Sequence, residues 1–180
     1  MNEADKHTTE SNLIPLLPEE EFQRRQRRRE SELGHIWGLL DVVKDPEVPA
    51  ISIWELGVLQ DVQQQDGELV VVITPTYSGC PAINTMAEDI QSCLREAGHT
   101  GVRVEQRLNP AWSTSWLSAD AKRKLAEFGI APCQPDDIGI ACPHCESTNV
   151  KLVSHFGSTA CKALYQCNSC LEPFDYFKNL

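Results

Sequence analysis

Two cysteine pairs carry the clearest chemistry in this chain. Cys142-Pro143-His144-Cys145 and Cys167-Asn168-Ser169-Cys170 share the C-x-x-C spacing that lets a tight turn present two thiolates to one cation. Two such knuckles make a tetrahedral set of soft ligands, the set that zinc prefers. The spacer between them is 21 residues, and each knuckle is followed by strand-forming residues, 150–153 and 174–177, the pattern of a zinc ribbon with a structural Zn. Disulfides are the alternative chemistry; they belong to oxidising compartments, to which nothing else in the sequence points. His144 and His155 read as ribbon surface or packing residues, since four cysteines already fill a tetrahedral site.

A further thiol, Cys80, closes the loop Pro75-Thr76-Tyr77-Ser78-Gly79-Cys80 directly before Pro81. Backbone N–H groups and the dipole of the helix that follows favour a thiolate there, fit for a nucleophile or a metal ligand. A small buried residue closing a turn fits the same position. Asp45 and Glu47 flank Pro46 and offer oxygen ligands near that loop. Cys161 follows Phe156-Gly157-Ser158-Thr159-Ala160 and precedes Lys162, whose charge would favour a thiolate; it is a candidate second thiol, with function and structure both open. Cys93 falls on an apolar helix face and reads as core, as do Trp112 and Trp116, and Cys133 has no partner signal. There is no phosphate-binding glycine loop, no H-E-x-x-H and no nucleophile elbow, so no catalytic constellation emerges.

The elements that must position these residues follow from periodicity. In a chain of 180 residues with 41% hydrophobic content there is room for one ordinary domain plus a small module. Leu33, Ile36, Trp37, Leu40 and Val43 make one face of a helix that stops before Asp45-Pro46-Glu47-Val48-Pro49. Residues 57–62 and 68–74 read as strands joined across Asp66-Gly67, a hairpin signal. A helix from Pro81 to Gly98, a strand at 102–108 and a helix capped by Ser118 complete an α-β-β-α-β-α order. The expected fold is α+β, a small sheet with helices packed on one face, followed by the zinc ribbon. Residues 1–30 read as a disordered extension, 31–130 as the α+β domain, 131–141 as a linker and 142–180 as the ribbon.

A formal net charge of −10 argues against nucleic acid as a partner, because duplex binding relies on Lys and Arg neutralising phosphates. The run Arg24, Arg25, Arg27, Arg28 and Arg29 is bracketed by acids and reads as a solvated helical lead-in. The longest apolar stretch, residues 69–73, is far short of a membrane span. The N-terminus lacks the basic start and apolar core of a signal peptide. A cytoplasmic protein with no membrane contact is expected.

Asp45-Pro46-Glu47-Val48-Pro49, Leu56-Gly57-Val58 and Thr74-Pro75-Thr76-Tyr77-Ser78-Gly79-Cys80-Pro81 resemble the metal–sulfur cluster assembly family, whose small α+β domain carries a reactive cysteine at the position of Cys80. The family usually has Asp-Leu-Gly where this chain has Glu55-Leu56-Gly57. Asn109-Pro110-Ala111-Trp112, Phe156-Gly157-Ser158-Thr159-Ala160-Cys161-Lys162 and Glu172-Pro173-Phe174-Asp175-Tyr176-Phe177-Lys178 narrow the resemblance to the branch that serves the bacterial phenylacetyl-CoA epoxidase system. It covers about residues 32–180. The resemblance implies an accessory component of aerobic phenylacetate degradation, not its catalyst. Its implied partners are the diiron oxygenase subunits and a reductase holding flavin and a plant-type [2Fe–2S] cluster. On this reading Cys80 transiently ligates Fe or an Fe–S cluster, Asp45 and Glu47 shape its surroundings, and the ribbon docks the client. A stable cluster normally takes four cysteine ligands, so a homodimer or the client would supply the others. The alternative is a non-catalytic structural subunit of the epoxidase complex.

Overall fold

The computed structural model describes residues 18–134 and 139–180. In chain order they form α1 (Glu19–Glu30), α2 (Gly34–Leu40), β1 (Leu59–Gln65), β2 (Glu68–Ile73), α3 (Ala82–Glu96), β3 (Val102–Gln106), α4 (Ala119–Glu127), β4 (Ile130–Ala131), β5 (Val150–Ser154), β6 (Lys162–Cys167) and β7 (Pro173–Phe177). This is the expected α+β architecture. One sheet has the order β1-β2-β3 and the other β4-β7-β6-β5.

Local chemistry sets the boundaries. Asp66 and Gly67 both adopt positive φ, 50° and 86°, the conformation of a two-residue hairpin whose twist matches its strands. The turn is therefore as tight as it can be, and Gln63, Gln64 and Gln65, expected in the loop, instead extend β1 along the antiparallel ladder with β2. β2 pairs in parallel with β3, which requires a crossover, and α3 supplies it. Ile83, Met86, Ile90 and Leu94 of α3 are buried. The helix ends where Gly98 takes φ 93°, with the His99 N–H donating to the Leu94 carbonyl at 3.0 Å, a C-terminal cap. The Ser118 hydroxyl accepts from the Ala121 N–H at 3.0 Å and caps α4 as expected.

Two expectations fail. The first is the disordered extension with its solvated arginines: residues 1–17 lie outside the described ones, but residues 19–30 form α1, and α1 is docked. Arg24 is 2% exposed. Its guanidinium donates to the Glu21 carboxylate at 2.6 and 3.0 Å and to the Trp54 and Leu59 carbonyls at 3.1 and 3.0 Å. It also lies 3.8 Å from the centre of the Trp54 ring. Arg28 adds two bonds to the Asp41 carboxylate, 2.8 and 2.6 Å. Counting charge treats every arginine as solvated, whereas a planar, weakly hydrated guanidinium can be buried once its donors are matched and a ring covers its face.

The second is the linker. Ile130 and Ala131 form β4, which pairs in parallel with β7 of the ribbon, and Cys133 is buried. Cys161 and Phe177 of the ribbon belong to the same buried cluster as Ile36, Leu40, Met86 and Trp112. The Phe177 ring lies 5.9 Å from that of Trp112, and the Thr114 N–H donates to the Leu180 carbonyl. The ribbon is thus built into the α+β domain. Its middle strand, β6, is not among the expected strands, because Lys162, Ala163 and Gln166 weaken the β signal.

Arg24→Ala leaves the Glu21 carboxylate buried without its principal partner, and is expected to cost about 3–5 kcal/mol. Arg29→Ala, at a side chain 72% exposed, should stay within about 0.5 kcal/mol of the parent. Urea unfolding of both variants checks this; equal midpoints would show that α1 is not held by Arg24.

Candidate functional site

The four knuckle cysteines converge as the spacing requires. The Sγ atoms of Cys142, Cys145, Cys167 and Cys170 all lie within 4.8 Å of one another. Cys142 and Cys170 are 3.7 Å apart, and Cys145 and Cys167 3.6 Å. A tetrahedral ion with metal–sulfur bonds of about 2.3 Å separates its sulfurs by about 3.8 Å, so these thiols fit one cation. All eight cysteines are free in this structure, and the spacing of the four converging sulfurs matches the metal reading rather than paired disulfides. Backbone N–H groups of His144 and Ser169 point at the Cys142 and Cys167 sulfurs, at 3.4 and 3.3 Å, the polarity that stabilises a thiolate. The Cys170 and Ser169 N–H groups hold the pKa of the Cys167 thiol down to about 6. His144 and His155 are exposed and take no part in this group.

A second centre forms where the ribbon meets the α+β domain. Asp45, Glu47, Cys80, Cys161 and Lys162 line one cavity, walled by Val48, Val58, Met86 and Phe177. All four sequence candidates outside the knuckles are therefore brought together. The cavity measures about 10 Å³, at the lower limit for one water.

Each side chain is placed by its own local structure. Asp45 opens a turn: its carbonyl accepts from the Val48 N–H at 3.2 Å and its Oδ1 from the Glu47 N–H at 2.7 Å. Pro46 holds the second position of that turn, as its fixed φ favours. The carboxylate is thus a turn cap as well as a cavity wall. In the Cys80 loop the Cys80 N–H donates to the Tyr77 carbonyl at 3.1 Å. Cys161 is delivered by two interlocked ribbon motifs. The Asp175 carboxylate accepts from the Ser158 N–H and hydroxyl at 3.3 and 2.6 Å, and a Cβ on Gly157 would collide with that carboxylate. The loop closes with the Gly157 N–H on the Lys162 carbonyl at 2.9 Å and the Lys162 N–H on the Thr159 carbonyl at 3.1 Å. Lys162, 3% exposed, then places Nζ 3.8 Å from Glu47.

The electrostatics correct one expectation. Cys80 sits before a helix, yet its thiol is raised above its ordinary value. Burial is the main cause and the Glu47 and Asp45 charges add to it, against the Ala82 N–H and the Thr76 hydroxyl. Burial likewise raises Cys161, against Thr159 and Lys162, and raises Asp45 and Glu47. The resting pocket favours protonated groups, because desolvation penalises charge more than single dipoles relieve it. Cys80 is half-buried rather than exposed.

The remaining candidates lie elsewhere. Cys93 is half-buried on α3, its Sγ 3.3 Å from the Leu39 carbonyl. Trp112 and Trp116 are buried; Trp112 Nε1 donates to the Leu56 carbonyl at 3.0 Å, and Gly57, at φ 82°, leaves no room for a side chain between the two rings. Glu55 accepts from the Ser52 N–H at 3.0 Å and pairs with Lys124 of α4, so it braces the turn to α4 away from Cys80. Sequence reasoning missed the Lys162 contact with Glu47. Its only signal was that Lys162 adjoins Cys161 in a motif not otherwise explained.

Among the described residues no helix is long and apolar enough to cross a membrane. Residues 34–105 match the model of the iron-sulfur cluster assembly protein family, and residues 133–178 match the PaaD zinc beta ribbon domain. A crystal structure of a DUF59 domain from Bacillus anthracis is similar with a TM-score of 0.47 and 25% identity, over 58% of this chain and 95% of that one. A Porphyromonas gingivalis protein named Fe-S protein maturation auxiliary factor is 30% identical over 48% of this chain and 84% of its own length. An Escherichia coli K12 protein provisionally named as the D-type subunit of 1,2-phenylacetyl-CoA epoxidase is 44% identical over 155 residues, 82% of this chain and 93% of its own. With both halves matched and nearly the whole length of that relative covered, the chain belongs to the PaaD family of phenylacetyl-CoA epoxidase proteins.

Proposed function

We propose that this protein is a cytoplasmic maturation factor of a phenylacetyl-CoA epoxidase system, holding Fe or an Fe–S cluster transiently at Cys80 and passing it to the [2Fe–2S] reductase. One observation carries the reading: Cys80 and Cys161 share a cavity with the carboxylates of Asp45 and Glu47, soft and hard ligands that a scaffold has no use for. A pocket of about 10 Å³ is too small for a cluster as it stands, so it must widen when cargo binds, which suits transfer rather than storage. The name of the Porphyromonas gingivalis relative supports this reading. The four knuckle cysteines bind structural Zn, and the ribbon forms one unit with the α+β domain. The second reading, a structural component working beside the oxygenase subunits, is favoured by the Escherichia coli relative, whose name makes it part of the epoxidase itself.

Deleting the gene should block growth on phenylacetate and leave the reductase poor in [2Fe–2S] with flavin still bound, since flavin sites need no sulfur transfer. Cys80→Ser should fail to restore growth, because a hydroxyl is a far weaker ligand and nucleophile. Normal cluster content in the deletion strain would favour the structural component; full rescue by Cys80→Ser would remove the thiol role.

Metal analysis should find one Zn per chain. Removing it with a chelator should raise the rate at which iodoacetamide labels Cys80, because the loop that covers this thiol hangs from the ribbon. Mass spectrometry of labelled peptides reads both the rate and the site, and an unchanged Cys80 rate would separate the two centres.

Asp45 has a pKa raised by burial above its ordinary 3.8, so the folded state favours the protonated acid. Its stability contribution is full below that value and lost as pH rises through the folded pKa. Asp45→Asn keeps the turn acceptor without the charge. It should therefore be at least as stable as the parent at pH 7, with the difference vanishing towards pH 4, while growth on phenylacetate is impaired. Urea unfolding at the two pH values tests the sign.

A further inference from the structure

We propose that Cys80 and Cys161 act together as a two-sulfur clasp for a thiophilic metal, one thiol from each module. The inference rests on the reading of Cys80 as the cargo thiol and adds to it a second ligand that the ribbon supplies.

Three observations carry it. First, the two thiols line one small cavity, close enough that charge on Cys80 disfavours ionisation of Cys161. Second, Cys161 is held in place: the Lys178 N–H donates to its carbonyl at 3.0 Å, the Thr159 hydroxyl lies 3.0 Å from its Sγ, and the Gly157 and Asp175 contacts lock the loop that carries it. A residue that only filled space would need none of this. Third, the charges call for a cation. Two carboxylates and two thiols share the pocket with one ammonium, Lys162, so ionising both thiols leaves an excess of negative charge that a divalent ion would largely offset. Binding then reads M²⁺ + 2 RSH → M(SR)₂ + 2 H⁺, with no oxidant or reductant required.

The clasp stays open. Among the described residues, the four knuckle cysteines are the one group of three or more whose ligand atoms all converge, so the Cys80 pocket has no complete coordination sphere. Two firm sulfurs with vacant positions let a client ligand enter before the ion departs, the arrangement that transfer needs. The closed sphere of the ribbon serves retention instead.

Phenylarsine oxide tests the pair directly, because its arsenic condenses with two neighbouring thiols, releasing one water, and holds a single thiol only weakly. The full-length, Zn-loaded protein should retain one equivalent after gel filtration with its Zn content unchanged. Cys161→Ser, Cys161→Ala and Cys80→Ser should each weaken retention by roughly a hundredfold, the advantage of an intramolecular second ligand. Cys93→Ala should bind as the parent does. Retention by the Cys161 variants equal to the parent, or Zn release accompanying capture, would overturn the clasp. If in addition Cys80→Ser fails to support growth while Cys161→Ser supports it, the single-thiol reading survives and the pair alone is lost. If Cys80→Ser supports growth, the cargo reading itself falls.

Discussion

The burial of Phe177 and Cys161 in the α+β core is the interaction on which the rest of the molecule depends. A ribbon of this size has almost no core of its own: apart from two cysteines, its separate buried cluster holds Ala131 and Phe174. It gains a hydrophobic seat by placing β7 against Trp112 and β4, and that seat fixes where the loop before β6 falls. Asp45, Glu47 and Cys80 are prepared on one side and Cys161 with Lys162 on the other, and neither half is a site without the contact.

The pocket is built against its own stability. Two carboxylates and two thiols are desolvated together with one ammonium, and the shifts of Cys80, Cys161, Asp45 and Glu47 all run towards the neutral form. Interiors tolerate such groups where they are put to use. The contrast with the ribbon knuckles is instructive: there backbone N–H groups aim at the Cys142 and Cys167 sulfurs and hold the Cys167 thiol down while its neighbours Cys145 and Cys170 are raised, whereas around Cys80 burial outweighs the one N–H available. One chain thus holds a centre ready to keep a cation and another that resists ionising until something enters.

Much of this was legible in the sequence. The knuckles, the Asp-Gly hairpin, the Ser118 cap and the α3 stripe are local signals, and each appears where its residues stand. The candidates Asp45, Glu47, Cys80 and Cys161 were named one by one. That they meet was not legible, because residues 45, 80 and 161 are joined only by the packing of two modules, and no spacing along the chain records such a contact. The docking of α1 was hidden for a similar reason: an arginine run looks the same whether its guanidinium groups face water or, as Arg24 does, two carbonyls and an indole ring. The expected boundary misled because β4, Ile130 and Ala131, straddles it and is too short a stretch for strand periodicity to show.

Those two residues have a wider meaning. β4 is covalently part of the α+β module yet hydrogen-bonds into the ribbon sheet beside β7, so the sheet that carries the knuckles takes strands from both sides of the apparent domain boundary. A boundary crossed in this way cannot be cut cleanly. A chain ending before the first knuckle would leave β4 without a partner and the seat of Phe177 open beside Trp112, while a ribbon detached from Ile130 would lose both a strand and its apolar floor. The two modules are distinct along the sequence, but in the fold they have no seam at which they could be parted without exposing apolar surface on both sides.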